Sequence, residues 1–412
     1  MWSLLIIAAR NVSRNRRRSI ISGAAVFVGV LGIVLLQGLL NSFLTRIVDD
    51  TVLAKVGAIQ VHKRGWQDAD HDLLDYDLPD DQAFRQKLAA IPGVTGVTPR
   101  ITFDGMLSNG AVSSMVGVAA IDPATEYTVC PKRRESIAPG SDPLVPGASG
   151  GGAGDVSAAL VGSELAESLG AKKGAVLSLL SASKGGAANA LDLTVVGFLP
   201  SRDLLESKRL SVVTLALAQD LLRMKGRVTE YALSVSDVDQ ADEIAARVQA
   251  ATGDGYQAQA WKELAPSVRD RLVRTRIILW IITGILFFLV GTGIANTMLM
   301  SVYERVREIG TMLAVGTRRR QVMSLFLAEA ATLGLAGGLL GASVGAAIVA
   351  SLGAHGFTMS PPGGDPAVFH PFITGRFVAG AIAFAALGTV VAGLYPAWKA
   401  SKLRPADALR AT

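Results

Sequence analysis

The stretch IISGAAVFVGVLGIVLLQGLL, residues 20–40, decides the fold class, because it carries no charge and is long enough to cross a membrane. A helix rises about 1.5 Å per residue, so about 20 apolar residues span the roughly 30 Å of hydrocarbon in a bilayer. Arginines precede the stretch, as in a signal peptide, but the apolar run is too long and no A-x-A-like cleavage site follows it. We therefore expect an uncleaved transmembrane helix.

Three further stretches are similarly long and apolar, and the composition of the whole chain agrees with them. Half of the 412 residues are hydrophobic, and the mean hydropathy is +0.40. An ordinary soluble domain, whose surface must be polar, is less apolar than this. The predicted transmembrane helices cover residues 20–44, 276–302, 322–352 and 376–398.

The distribution of Lys and Arg predicts the orientation of these helices. Residues 1–19, the loop 303–321 and the tail 399–412 together hold 14 Lys and Arg against three Asp and Glu. Positively charged loops stay in the cytoplasm, which places both termini there. The segment 46–275 has 24 Lys and Arg against 29 Asp and Glu, and long domains translocate largely regardless of charge. The nearly uncharged loop 353–375 fits the same outer side, and this topology explains the basic balance without nucleic acid.

The long segment between the first two helices predicts a domain of mixed secondary structure. β-like runs such as GVTGVTPRI and LDLTVVGFL alternate with helical spacing, for example after the possible capping residues Asp80 and Asp81. The predicted fold is an α-helical membrane protein with four transmembrane helices plus an α+β extracytoplasmic domain, residues 45–275, inserted between helices 1 and 2. We expect stalk helices at both ends of this domain, a second lobe at about 131–228 and a flexible Pro-, Gly- and Ser-rich loop at 131–155.

Polar side chains inside the predicted spans are candidate functional residues, because polar groups are costly in lipid. Gln37 and Asn41 share one helix face and either border a substrate cavity or join helices by hydrogen bonds. Asn296 also needs a partner or water. Glu329 is expected to pair with a cytoplasmic Arg rather than to carry protons, because no intramembrane chain of acids or His accompanies it.

A row of glycines in the third predicted span indicates close helix packing. Gly337, Gly341 and Gly345 recur every four residues. Small residues at this spacing let helix backbones approach each other in lipid. The row serves either packing within the subunit or a dimer or gating contact.

The sequence lacks the motifs of the enzyme classes that its topology would permit. It contains no G-x-x-x-x-G-K-[ST] loop and no H-E-x-x-H motif, so any ATP it uses must be hydrolysed by another subunit. The four His are scattered, and we interpret the acidic stretch at 62–77 as a solvated loop rather than a cation site. Cys130 is the single cysteine and is expected to be a partly buried free thiol. We predict no enzymatic activity and no catalytic or metal-binding residue.

The cytoplasmic segment YERVREIGTMLAVG, residues 303–316, predicts a short amphipathic helix. Three apolar residues make one face, charged residues flank it, and a glycine ends it. A helix at this place, between two spans, is suited to contact a soluble partner. The candidate contact residues are Glu304, Arg305, Arg307, Glu308, Ile309, Met312, Leu313 and Gly316.

Residues 296–330, NTMLMSVYERVREIGTMLAVGTRRRQVMSLFLAEA, resemble the signature of FtsX-like or MacB-type ABC transporter permeases, the type VII or mechanotransmission class. The stretches YPAWKASKLRPADALR (395–410) and AARNVSRNRRRS (8–19) are similar to the ends of such permeases. The resemblance implies that two permeases, identical or paralogous, bind a cytoplasmic ABC ATPase dimer in the bacterial inner membrane. That dimer would hold ATP and Mg²⁺, and this chain would hold no cofactor. Closure of the ATPase would move the periplasmic MacB-like core domain through the stalk helices.

Within this family, WKELAPSVRDRL (261–272) resembles lipoprotein-releasing permeases of the LolC and LolE kind. This likeness implies extraction of lipoproteins or other amphiphiles from the outer leaflet, with membrane lipid and a periplasmic carrier as partners. The candidate for a loop that would bind such a carrier is 131–155. It is Gly-rich, whereas an apolar loop is expected for that role. Two alternatives are a MacB-like efflux permease with a periplasmic adaptor and an FtsX-like regulator of cell-wall hydrolases.

Overall fold

The computed structural model describes residues 16–68, 73–145, 157–200, 208–359 and 367–403. The chain divides into two compact units. We call Met1–Thr45 with Leu272–Thr412 the membrane unit, and Arg46–Arg271 the sheet unit. The sequence similarities at 8–15 and 404–410, and residues 146–155 of the predicted loop, lie outside the described residues.

The first helix, α1, spans Arg16–Thr51 and is prolonged by a wider helical turn at Val52–Val56. Val26, Val30 and Val34 recur at one-turn intervals and are almost completely buried. Residues four apart lie on one helix face, so this row is the inward face of α1.

The sheet unit alternates strands with short helices, as the sequence predicts. Asp81 caps its first helix, because one carboxylate oxygen accepts the amide N–H of Ala83 at 3.0 Å. Asp122 caps a later helix that has Pro123 at its first position. The elements in chain order are β1 Ile59–Lys63, β2 Leu78–Pro79, α2 Gln82–Ala89, β3 Val94–Ser108, β4 Ser113–Ile121, α3 Pro123–Val129, α4 Pro131–Glu135, β5 Ala158–Gly162, α5 Ser163–Ser168, β6 Val176–Ala182, β7 Ala188–Leu199, β8 Leu210–Thr214, α6 Leu215–Leu221, β9 Arg227–Val228, β10 Glu230–Val235, α7 Ala241–Thr252, β11 Tyr256–Ala260 and α8 Trp261–Leu264.

Among the described residues, nine strands form one mixed sheet in the order β11-β1-β10-β3-β4-β8-β5-β7-β6. The 15-residue strand β3 belongs to two parts of it. Its first half pairs with β10, where Val97 lies opposite Leu233. Its last residues pair with β6, where Met106 lies opposite Leu180. The strands from β3 to β6 in this order therefore close into a ring.

One prediction about this unit needs correction. Pro131–Glu135 is helical rather than part of a flexible loop. The loop was predicted from composition, which does not reveal contacts with residues that are distant in sequence. The ring joins β3 and β4, within residues 94–121, to strands of the predicted second lobe at about 131–228.

The membrane unit continues with α9 Pro266–Glu304, α10 Val306–Ala314, α11 Arg319–His355, the short strands β12 Phe357–Met359 and β13 Ala367–Phe369, and α12 Gly375–Ser401. Of the described helices, α1, α9, α11 and α12 are long and apolar enough to cross a membrane. Each of the four predicted spans lies within one of them. Their shared core contains Val30 of α1, Met298 of α9, Phe326 of α11 and Ala397 of α12.

Candidate functional site

The predicted partner-contact helix is α10, and its packing follows its amphipathic sequence. Ile309 is 1% exposed and lies in the core of the membrane unit, where Met312 and Leu313 pack beside it. The helix ends at Gly316, whose φ of 100° is readily accessible only to glycine. The amide of Gly316 donates to the carbonyl of Leu313 at 3.2 Å and that of Thr317 to Met312 at 3.0 Å, which completes a Schellman ending.

Charged residues anchor one end of α10 and cover its outer face. Arg305 donates to Glu308 at 2.9 Å and lies 3.5 Å from Glu329 of α11. The ion pair expected for Glu329 is therefore present, with Arg305 as its partner. Glu304, Arg307 and Glu308 are exposed. This arrangement ties α10 to α11 and places charged side chains at the surface.

The other intramembrane polar residues do not meet at one site. Gln37 donates to Asn41 at 2.9 Å within α1, and Asn41 donates to the carbonyl of Phe372 at 3.3 Å. Asn296 lies on the exposed face of α9. Hydrogen bonding within the unit therefore accounts for Gln37 and Asn41.

The glycine row of α11 faces α1 inside the subunit. A Cβ atom placed on Gly341 would lie 2.6 Å from the carbonyl oxygen of Phe27, and one on Gly337 would lie 2.8 Å from that of Gly23. Gly345 would similarly crowd Val34 at 2.8 Å. These distances show that the row packs α11 closely against α1, as the first of the two predicted roles requires.

The sheet unit contains a buried ionic cluster that the sequence reasoning missed. Arg100 of β3 donates to both carboxylate oxygens of Glu126 of α3 at 2.8 Å. Glu126 is completely buried, Arg100 is 2% exposed, and Arg133 of α4 lies 3.0 Å from the same carboxylate. Burial opposes ionisation of Glu126, but the charges of Arg100 and Arg133 outweigh it and lower the pKa of this carboxyl.

The same arginines hold the turn Val52–Val56 that prolongs α1. Arg133 donates to the carbonyls of Ala54 at 3.0 Å and Lys55 at 2.6 Å, and Arg100 donates to Val56 at 3.2 Å. Lys132 adds an ion pair with Asp49 at 3.0 Å. We call these contacts the helix clamp. They fix the last turns of α1 to the strands of the sheet unit.

Three further titratable groups border the helix clamp. Glu230 of β10 lies 3.8 Å from Arg100 and 3.9 Å from His62 of β1, and burial raises the pKa of Glu230. Burial also lowers the pKa of His62 to about 3, so its ring is neutral at pH 7. This ring stacks on Trp66 with 3.8 Å between the centroids. The thiol of Cys130 is free and buried against Arg100, and burial raises its pKa.

The acidic stretch at 62–77 is partly described. Residues 69–72 lie outside the described ranges. Asp77 is paired with Arg227 at 2.6 Å and with Lys184 at 2.5 Å. Across the described ranges, no three His, Cys, Asp or Glu side chains are grouped as metal ligands would be. The geometry of Asp77 is that of a structural ion pair.

Comparison with known proteins finds family matches that together cover most of the chain. The profile of the MacB-like periplasmic core domain matches residues 19–251, more than half of the chain, and that of the FtsX-like permease C-terminal region matches residues 280–405. An uncharacterized ABC transporter permease of Bacillus subtilis, YknZ, is 34% identical over 183 residues, 43% of each chain. The macrolide export ATP-binding/permease protein MacB of Bdellovibrio bacteriovorus is 35% identical over 160 residues, which are 38% of this chain and 23% of that protein.

The chain thus spans less than half the length of these two relatives. Among solved structures, the periplasmic region of MacB from Actinobacillus actinomycetemcomitans aligns with 54% of this chain and 98% of its own. The sequence identity of that alignment is 9% and its TM-score is 0.35.

Proposed function

Because this chain belongs to the FtsX-like and MacB-like ABC transporter permeases, we propose that it couples ATP hydrolysis by a separate ATPase to movement of its sheet unit. It is a multi-pass membrane protein of this family. In our proposal the sheet unit is inserted between the first and second spans on the outer side of the bacterial inner membrane, and both termini are cytoplasmic. The charge distribution supports this orientation.

The strongest support for this coupling role is the packing of α10. Its buried Ile309 and the Arg305–Glu329 ion pair attach it to α9 and α11, so a force on its exposed face acts on long helices rather than on a loose loop. At the other end of α1, the helix clamp attaches the last helical turns to the strands. We propose that a dimer of this permease, or a pair with a paralogue, binds two ATPase subunits at this face and that they hold ATP and Mg²⁺. This chain then needs no catalytic residue.

Charge reversal on the exposed face of α10 tests this contact. Arg307 is exposed, and Val315, directly after the helix, is 88% exposed, so Arg307→Glu with Val315→Glu should leave the fold intact. We expect this double variant to lose co-purification with an ABC ATPase, identified by its peptides. Arg274→Glu, an exposed reversal near the opposite end of α9, is the matched control. Wild-type ATPase recovery with the double variant would contradict the coupling role.

The substrate class has two candidates with different support. Relatives of this chain are named for macrolide export and pyoverdine export, which favours a MacB-like efflux permease working with a periplasmic adaptor. The 261–272 segment favours extraction of lipoproteins or other amphiphiles for a carrier. We propose efflux as the first candidate. Mass spectrometry of the purified complex separates the two, because a lipoprotein permease should retain triacylated protein and an efflux permease should not.

A further inference from the structure

An apolar cleft of about 340 Å³ lies within the membrane unit, between α1, α9 and α12. Its lining runs from Trp280 to Ile294 on α9 and from Arg376 to Thr389 on α12. At 1.5 Å per residue these segments are about 20 Å long, which is two thirds of the hydrocarbon thickness of a bilayer. The cleft therefore reaches from one membrane surface past the bilayer centre.

The length and lining of the cleft indicate what can occupy it. Apart from Trp280, Thr283, Thr389 and Arg376, the residues that line it are apolar. An apolar cleft about 20 Å long suits an extended hydrocarbon chain.

One end of the cleft carries a positive charge. Arg376 lines it beside Trp280, and Trp and Arg are side chains typical of the headgroup level of a membrane. No hydrogen bond or ion pair joins Arg376 to another residue of the described ranges. The described carboxylates of the membrane unit, those of Glu304, Glu308 and Glu329, lie near the opposite ends of α9 and α11. An acidic headgroup at the Arg376 end would thus meet a cation that is paired with none of these described carboxylates.

We propose that the cleft binds one acyl chain of an anionic phospholipid from the surrounding bilayer, with the lipid phosphate on Arg376. Lipid tails are as apolar as the helix surfaces, so no hydrophobic transfer drives this binding. The acyl chain instead fills a void whose lining otherwise lacks contact atoms, and Arg376 supplies the preference for an acidic headgroup. Gln37 and Asn41 do not line the cleft. The inference rests on the chain being a membrane protein and not on its proposed transport role.

The test uses the full chain, purified in detergent without the ATPase, and native mass spectrometry with added phosphatidylglycerol or phosphatidylcholine of identical acyl chains. A cation near the membrane surface attracts an anionic lipid by an amount that corresponds to about a five-fold preference for phosphatidylglycerol. We expect Arg376→Gln to abolish that preference and to leave phosphatidylcholine binding unchanged. We expect Gly380→Leu, whose side chain enters open space in the cleft, to weaken retention of both lipids.

Gly284→Leu is the matched control, because it also adds a side chain in open space on a membrane helix but lies outside the cleft. It should bind both lipids as the wild type does. Melting of the helical circular dichroism signal verifies that all three variants are folded. Equal lipid retention by Gly380→Leu and the wild type would overturn the site. A phosphatidylglycerol preference that persists in Arg376→Gln would overturn the role of the arginine, and both outcomes leave the ATPase-coupling proposal intact.

Discussion

Replacing Glu126 by Gln would remove the negative centre of the helix clamp while it keeps the shape of the side chain. Glu126 is completely buried and receives two 2.8 Å hydrogen bonds from Arg100 and a 3.0 Å contact from Arg133. A glutamine turns its amide N–H groups toward one of these arginines and leaves buried positive charge unbalanced. Breaking a buried ion pair in this way costs about 3–5 kcal/mol.

The free energy of unfolding would be measured by urea titration of residues 46–271 produced as a separate protein at pH 7, with Trp66 and Trp261 as fluorescence reporters. A loss of this size corresponds to a fall in Tm of about 10 °C for a chain of this length. Asp242→Asn is the control, since it removes the exposed ion pair with Lys262, and we expect it to cost less than about 1 kcal/mol. If Glu126→Gln were no more destabilising than this control, the energetic importance of the cluster would be refuted.

The pH dependence of the free energy of unfolding gives a second measurement on the Glu126→Gln variant. The lowered pKa of Glu126 means that its contribution is present above the unfolded carboxyl pKa of about 4.3 and is lost as the pH falls through the lower folded pKa. Glu126→Gln should therefore be less sensitive to acid below about pH 4 than the wild-type sheet unit. An unchanged acid dependence would argue against ionised Glu126 in the folded state.

Three further results are expected. Because the pKa of His62 is lowered to about 3, the sheet unit should lose stability between about pH 6.5 and 3, and His62→Phe should flatten this part of the urea-unfolding profile. Gly341→Val should lower the thermal stability of the detergent-solubilised chain, because its Cβ lies 2.6 Å from a carbonyl oxygen of α1, whereas Gly32→Val, in open space, should not. Arg133→Met removes two hydrogen bonds to the turn after α1 and should speed hydrogen exchange within Val52–Val56; unchanged exchange there would contradict the helix clamp.

Much of the architecture was predictable because local chemistry determines it. Each long apolar run became one helix, since a backbone in lipid must satisfy its hydrogen bonds within the helix. Asp81 caps α2, and Gly316 ends α10, because an aspartate oxygen accepts a first-turn amide and glycine tolerates a positive φ. The ATPase-coupling role of α10 stays a prediction.

The error and the omission share a physical cause. Residues 131–135 were assigned to a loop because contacts with residues distant in sequence, such as those of Arg133 with Ala54 and Lys55, stabilise this helix. The helix clamp was missed although one signal was available. Arg100 interrupts the otherwise uncharged run GVTGVTPRI, and a charged residue in the middle of a strand that packs into a core requires a buried partner.

The sequence by itself determined which segments are long and apolar enough to enter the membrane, the expected side of each loop and the place of α10, because hydrophobic length, charge and capping are properties of contiguous residues. Only the tertiary structure decided that the glycine row faces α1, that Arg305 pairs with Glu329 and that β3 closes a ring. It also brought Arg376 to an apolar cleft and Arg133 to the end of α1. Such contacts join residues tens to hundreds of positions apart, so they depend on how the elements pack and on no local pattern.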